Sequence, residues 1–233
     1  MNKLLKKFKK DGFVIVELGH KNKLNQLRKK FILNFDRIYN TLNQKRIKND
    51  KNLIVEEKSK NRNLFVSVYN LLHLDPTIYQ ISSSRKILDI VKQLNIKVPY
   101  HGTRPYVRVD FPNDKKHSFD IHQDFPYNNH SLNSLVVWIP LQNTGIEEGC
   151  LRVSKYSHAK MKVFKTDKNL IIKKKNFKLE NIKVKLGQAL IFSEFLVHSS
   201  GDNTSDKIRF SLQLRFTDLA SKEYMLRGYP VKR

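Results

Sequence analysis

Cysteine is nearly absent. Cys150 is the single one in 233 residues, so an intramolecular disulfide is excluded. A reducing compartment, the cytoplasm, is the expected setting. Long apolar runs are missing too: no stretch approaches the ~20 residues that a bilayer-spanning helix requires. The opening residues Met1 to Phe8 are basic, with no continuous apolar run behind them, which speaks against a secretory signal. Acidic residues are short as well, 21 against 45 lysines and arginines, giving a net charge of +24. Such an excess can mark an anionic partner, whether nucleic acid, a membrane surface or a phosphorylated substrate. Here the lysines are spread over the whole chain, Ala and Gly are scarce, and Lys, Asn and Ile abound. That pattern fits a drift in composition, and no specific nucleic-acid partner is expected. Hydrophobic content is only 39%, but the apolar residues are clustered and periodic, which argues against disorder. With no internal repeat or low-complexity linker, residues 1–233 read as one unit: a helical region 1–96, a β core 97–219 and a tail 220–233.

What is present divides by texture. Residues Asn2 to Lys10 carry Leu4, Leu5 and Phe8 at helical spacing, then Asp11-Gly12 makes a turn and Phe13–Glu17 is a short β-rich run. Lys21 to about Arg46 predicts a long amphipathic helix, with Leu24, Leu27, Phe31 and Phe35 on its apolar stripe. Arg46 to Asn63 reads as a lysine-rich loop, and Leu64 to Leu74 as a further helix. Asp75-Pro76 has the form of a cap with Pro at the first helical position, and Ser82 or Ser83 is expected to cap a helix to about Leu94. From Lys97 the chain turns to short β runs. The expected strands are Tyr106–Phe111, Phe119–Asp124, Ser134–Gln142, Cys150–Ser154, Ile182–Leu186, Ala189–Phe192, Leu196–Ser199 and Lys207–Thr217. The predicted fold is mainly β with flanking helices: a double-stranded β-helix (jelly roll, cupin-like) core with the N-terminal helices packed outside. On the last strand Ile208, Phe210, Leu212, Leu214 and Phe216 share one face, and Arg209, Ser211, Gln213 and Arg215 the other. Which face turns inward is left open by the pattern.

The chemistry centres on His122-Gln123-Asp124. On extended chain, side chains at i and i+2 point the same way, so His122 and Asp124 converge while Gln123 faces away. An imidazole and a carboxylate on one face supply two thirds of the facial triad that holds non-haem Fe(II) with open positions. Of the other histidines, His20, His73 and His101 lie outside the strand core as drawn. His117 and His130 fall in polar loops where a solvated role is expected, and His158 sits in a turn. His198 lies on a late β segment, 74 residues past Asp124, and can face the pair (198 − 124 = 74). Arg209 follows 11 residues later (209 − 198 = 11), with Ser211 on its face. A guanidinium fork beside a hydroxyl suits a buried carboxylate.

With these residues in place, the chain resembles the phytanoyl-CoA dioxygenase family of Fe(II)/2-oxoglutarate-dependent oxygenases. The likeness begins at Phe8-Lys9-Lys10-Asp11-Gly12-Phe13 and continues through His122-Gln123-Asp124, Trp138-Ile139-Pro140-Leu141-Gln142, Glu148-Gly149-Cys150-Leu151 and Tyr156-Ser157-His158. It ends with His198-Ser199-Ser200-Gly201 and Arg209. The resemblance implies His122, Asp124 and His198 as iron ligands. It implies Arg209 as anchor of the distal carboxylate of 2-oxoglutarate, with Ser211 helping and Trp138 either near the cosubstrate or a plain aromatic plug of the core. Tyr106 and Arg108 share a face of the preceding strand and could line the pocket. Lys155-Tyr156 stands where the family commonly has Pro-Gly, a change of turn. The implied activity consumes O2 and 2-oxoglutarate, releases succinate and CO2, and hydroxylates a small molecule. Asp124 fills the position a halide needs in related halogenases, which favours hydroxylation. Pro112–Ser118 and the lysine-rich insertion Ala159–Asn181 are the candidates for setting specificity; overhanging the mouth they would suit an anionic substrate, and otherwise they are solvated basic loops. Two alternatives remain: a basic jelly-roll protein binding nucleic acid or another polyanion, and a metal-binding cupin-like enzyme that does not use 2-oxoglutarate.

Overall fold

The computed structural model describes residues 2–43, 62–114, 118–161, 163–165, 170–172 and 177–230. The N-terminal region is helical: α1 (Lys3–Asp11), α2 (Lys21–Asn43), α3 (Arg62–Leu72), α4 (Pro76–Ser82) and α5 (Arg85–Gln93), interrupted by strand β1 (Phe13–Glu17). Local chemistry sets the helix ends. The Asn2 side chain accepts from the Leu5 N–H at the start of α1, and Gly12, with φ of 86°, closes it in the left-handed region. Asp75 accepts from the Thr77 N–H ahead of Pro76, as the Asp-Pro pair predicts. The helix expected after Ser82 or Ser83 begins one residue later, with Ser84 at the cap position. Much of the lysine-rich segment Arg46 to Asn63 lies outside the described residues, as does His117.

The β region comprises β2 (Pro99–His101), β3 (Tyr106–Asp110), β4 (Leu135–Pro140), β5 (Arg152–Val153), β6 (Val163–Lys165), β7 (Leu170–Ile172), β8 (Glu180–Asn181), β9 (Gln188–Ser193), β10 (His198–Ser199) and β11 (Arg209–Asp218). One antiparallel sheet runs β1-β9-β4-β11-β2, with β3 also paired to β11, and faces a smaller sheet β10-β5-β8; β6 and β7 form a hairpin. This is the mainly β architecture with outer helices that the texture predicts. Two expected strands are not formed. Phe119–Asp124 is irregular apart from a bridge at His122, because Asp124 already has helical dihedrals and leads into the short helix α6 (Phe125–Asn128). Ile182–Leu186 keeps one bridge, Val184 to Thr144. The described part of the tail, 220–230, is ordered against the core. Helix α7 (Lys222–Leu226) buries Tyr224, and Arg227 just beyond it donates to the carbonyls of Asn129 and His130.

The open question of β11 is resolved against the default for a half-exposed strand. Phe210, Leu212, Leu214 and Phe216 pack with Leu24, Leu27, Phe31, Ile78 and Ile87 of the outer helices in the main apolar core. Phe31 and Phe210 meet edge to face, ring centroids 5.9 Å apart. Each such side chain contributes about 1.5–3 kcal/mol on burial, enough to commit the apolar face outward to the helices. Arg209, Gln213 and Arg215 consequently line the space between the two sheets. A second apolar cluster, including Trp138, Leu151, Phe192 and Leu196, closes that space from below.

Candidate metal centre and cavity

Main-chain hydrogen bonds bring His122 and His198 together before any side chain acts. Each backbone N–H donates to the other's carbonyl, at 2.9 and 3.0 Å, which fixes the two residues opposite one another with ring centroids 4.2 Å apart. Asp124 is held next to them because its N–H and that of Phe125 both donate to the Glu194 carbonyl. One ligand atom from each of His122, Asp124 and His198 lies within 4.8 Å of the others. Gln123 turns the opposite way, its amide donating to the carbonyls of Lys160 and Phe195. The i, i+2 convergence thus survives without a regular strand.

The tautomers are set for ligation. Nδ1 of His122 sits 2.7 Å from the Asp120 carbonyl, and Nδ1 of His198 sits 2.9 Å from the Leu196 carbonyl. A carbonyl can only accept, so each Nδ1 carries the proton and each Nε2 presents a lone pair. Burial first, then the neighbouring His122, lowers the His198 pKa to about 4, so the ring is neutral near pH 7. Burial alone would raise the Asp124 carboxyl. Arg215, foremost among the opposing groups, holds it well below the usual carboxylate range. Two imidazoles and one ionised carboxylate, nitrogen and oxygen donors on one side of a cavity, match the donor set of a non-haem iron site.

That cavity has a volume of about 630 Å³ and is lined by the three candidate ligands, by Tyr106, Arg108, Trp138 and Arg209, and by Arg104, Ser200, Gln213 and Arg215. The pairing of β3 with β11 explains how its polar wall is built. Arg209 stands opposite Asp110, Ser211 opposite Arg108 and Gln213 opposite Tyr106. Asp110 accepts from Arg108 Nε at 2.7 Å and from Arg209 Nη2 at 2.7 Å, and the Tyr106 hydroxyl donates to Gln213 at 2.6 Å. Arg209, 1% exposed, also donates to the Glu148 carbonyl. Ser211 is fully buried, and its hydroxyl has no partner among the described residues, but it stands outside the cavity lining. Ser200, two residues past His198, lies in the lining instead.

Three features went unread in the sequence. Arg215 and Gln213 would have followed from the polar face of β11 had its direction been known. Glu194, fully buried in an apolar run, had no signal; its carboxylate takes hydrogen bonds from Asn128, His130 and Ser134. His130 is correspondingly buried beside it, where a solvated loop residue was expected, because Glu194 supplies the partner that burial demands. Finally, Gly149, with φ of 75°, packs its backbone on that of Gly201, so that the turns bearing Glu148 and Ser200 touch.

The fold and this donor set define a jelly-roll protein with a two-histidine, one-carboxylate cluster in a cationic cavity. Residues 8–211 match the phytanoyl-CoA dioxygenase (PhyH) family, and the chain belongs to it. A relative in Dictyostelium discoideum, a phytanoyl-CoA dioxygenase domain-containing protein 1 homolog, is 30% identical over 170 residues, covering 66% of this chain and 59% of that protein. The chain therefore spans less than two thirds of that relative's length. Among solved structures, the apo non-heme monooxygenase ThoJ aligns with a TM-score of 0.69 at 17% identity, over 93% of this chain and 77% of that one. EctD from S. alaskensis, with 2-oxoglutarate and 5-hydroxyectoine, aligns at 0.67 and 14%, over 95% and 77%. The epimerase SnoN, with Fe3+ and alpha ketoglutarate, aligns at 0.66 and 14%, over 93% and 82%. These likenesses establish the fold. Among the described residues, no helix is long and apolar enough to cross a membrane.

Proposed function

We propose that this protein is an Fe(II)/2-oxoglutarate-dependent oxygenase that hydroxylates a small molecule, folded as one structural unit and working in the cytoplasm, where its buried Cys150 stays reduced. The observation that carries this is the convergence of His122, Asp124 and His198 with both imidazole Nδ1 atoms turned to carbonyls. His122, Asp124 and His198 would hold the iron. Bound there with 2-oxoglutarate, it supplies O2 activation coupled to release of succinate and CO2, ending in hydroxylation of a C–H bond. The chain's own contribution is placement. Arg209 offers the guanidinium fork for the distal carboxylate, with Ser200 in the cavity wall and Trp138 closing one side. Ser211, beside Arg209 on β11, contributes a buried hydroxyl. Tyr106 and Arg108 extend the same polar wall from β3. Leu151, Phe192 and Trp138 keep the floor apolar and exclude water. Two buried ligands and a half-buried third, gathered in one cavity, and the family relationship favour this over a polyanion-binding module.

The test is anaerobic addition of Fe(II) and 2-oxoglutarate to the metal-free protein. The charge-transfer absorption of an iron–keto-acid chelate is expected to grow with one equivalent of each, and to be lost in His122→Ala. Absence of the band in the wild-type protein, with no succinate formed under air, sinks the assignment.

A further inference from the structure

The proposed cosubstrate accounts for one end of the cavity wall and leaves the other unexplained. Arg209 and Arg215 lie on the same face of β11, six residues apart. At about 3.4 Å per residue their Cα atoms are about 20 Å apart. Both line the cavity that holds the metal cluster. Arg209 sits with Asp110 and the Glu148 carbonyl. Arg215 sits with Asp124, Nη2 to Oδ1 3.4 Å, and with the Tyr106 hydroxyl at 3.4 Å. Its guanidinium is also over the Tyr106 ring, 5.6 Å from the centroid. The Arg215 side chain is 12% exposed, and its Nε has no partner among the described residues. A donor so enclosed is costly unless something accepts from it. Arg215 stands too close to Asp124 to reach the far end of a ligand chelated at the metal and anchored at Arg209.

Charge points the same way. Four guanidiniums, Arg104, Arg108, Arg209 and Arg215, line the cavity. Asp124 and Asp110 are the carboxylates paired with them, and the buried Glu194 acts on Arg215 as well. Among the described residues no carboxylate pairs with Arg104 at the mouth, and that side chain is exposed. Iron(II) and the 2-oxoglutarate dianion cancel in charge, so the loaded cavity would still carry a net positive charge. A second cavity of about 560 Å³ shares Tyr69, Tyr106, Arg108 and Phe119 with the first and gives room for the rest of a ligand.

We propose that Arg215, supported by Tyr106 and Arg104, is the receptor for an anionic group on the substrate, a carboxylate or a phosphate, placed next to the metal on the side away from Arg209. The proposal rests on the iron and 2-oxoglutarate reading above. Arg215 is then a specificity residue: its fork takes the anion and Tyr106 flattens against it.

The experiment uses the full chain loaded anaerobically with Fe(II) and 2-oxoglutarate. The probes are N-acetylglycine and glycerol 3-phosphate, each paired with a neutral counterpart, N-acetylglycinamide and glycerol. Binding is read by calorimetry and by perturbation of the charge-transfer band. At least one anion is expected to bind while its neutral partner does not, and the two arms separate carboxylate from phosphate. Arg215→Met is expected to weaken that anion tenfold or more, Arg215→Lys less, and Arg104→Ser, at the exposed mouth, about threefold. Thermal unfolding of each variant verifies that it is folded. Equal binding of charged and neutral probes, or no binding of either anion, overturns the proposal. So does an Arg215→Met variant that loses 2-oxoglutarate affinity as much as probe affinity, since Arg215 would then serve the cosubstrate. A missing charge-transfer band in the wild type overturns the iron reading itself, a result distinct from any of these.

Discussion

Arg209→Lys isolates the fork geometry from the charge. In the folded protein Arg209 is almost wholly buried and spends Nε and one Nη on Asp110, at 3.1 and 2.7 Å, with a weak bond to the Glu148 carbonyl. That leaves the outer edge of the guanidinium for a ligand carboxylate. Lysine keeps the positive charge but cannot hold Asp110 and a second carboxylate in one plane. Losing one charge-assisted hydrogen bond costs about 1.5–3 kcal/mol, a factor of about 10–150 in the dissociation constant of 2-oxoglutarate. Arg209→Met removes the charge as well and costs about 2–5 kcal/mol. Stability should suffer less than affinity, because Arg108 remains 2.7 Å from Asp110 and keeps that carboxylate paired. The assay is anaerobic titration of 2-oxoglutarate against the charge-transfer band, with chemical denaturation alongside. If Arg209→Met changes the constant by less than twofold while Arg215→Met abolishes binding, the anchor has been misassigned.

Asp110 and a bound 2-oxoglutarate carboxylate would share Arg209, so Asp110→Asn should tighten 2-oxoglutarate roughly fivefold to tenfold by removing a like charge. A weaker constant in that variant would mean that Asp110 acts mainly by orienting the fork. Acid should destabilise the metal-free protein. His198 titrates at about 4 when folded and at 6.5 when exposed, so between those values only the unfolded chain takes up the proton. Stability is full above pH ~6.5 and falls toward pH 4, by at most about 3 kcal/mol from this residue. Burial lowers His73 and His101 in the same direction. Denaturant midpoints that stay flat from pH 7 to 4 would contradict a neutral buried His198. Gly201→Ala would drive a Cβ into the Cys150 carbonyl oxygen and the Gly149 backbone. It should cost about 1–3 kcal/mol of stability and weaken iron binding through the neighbouring His198–Ser199 strand, measured by thermal unfolding and metal titration.

The sequence alone determined the elements whose signals are local. Asp75-Pro76, Asp11-Gly12 and the apolar stripe of α2 each encode a cap, a turn or a face within a few residues, and they folded as read. His122-Gln123-Asp124 was legible for the same reason: i, i+2 geometry is a property of three residues. Tertiary structure decided everything that needed a partner from far away. Which face of β11 turns inward depends on helices more than 110 residues earlier in the chain packing over Phe210, Leu212 and Leu214, and with it the placement of Arg215 and Gln213. The burial of His130 depended on Glu194, which has no periodic signature and is stable there only because Asn128, His130 and Ser134 donate to it. The third member of the cluster needed the mutual main-chain bonds of His122 and His198. Residue type fixes what a side chain can do, but its neighbours across the fold fix the direction it points and the charge it must balance.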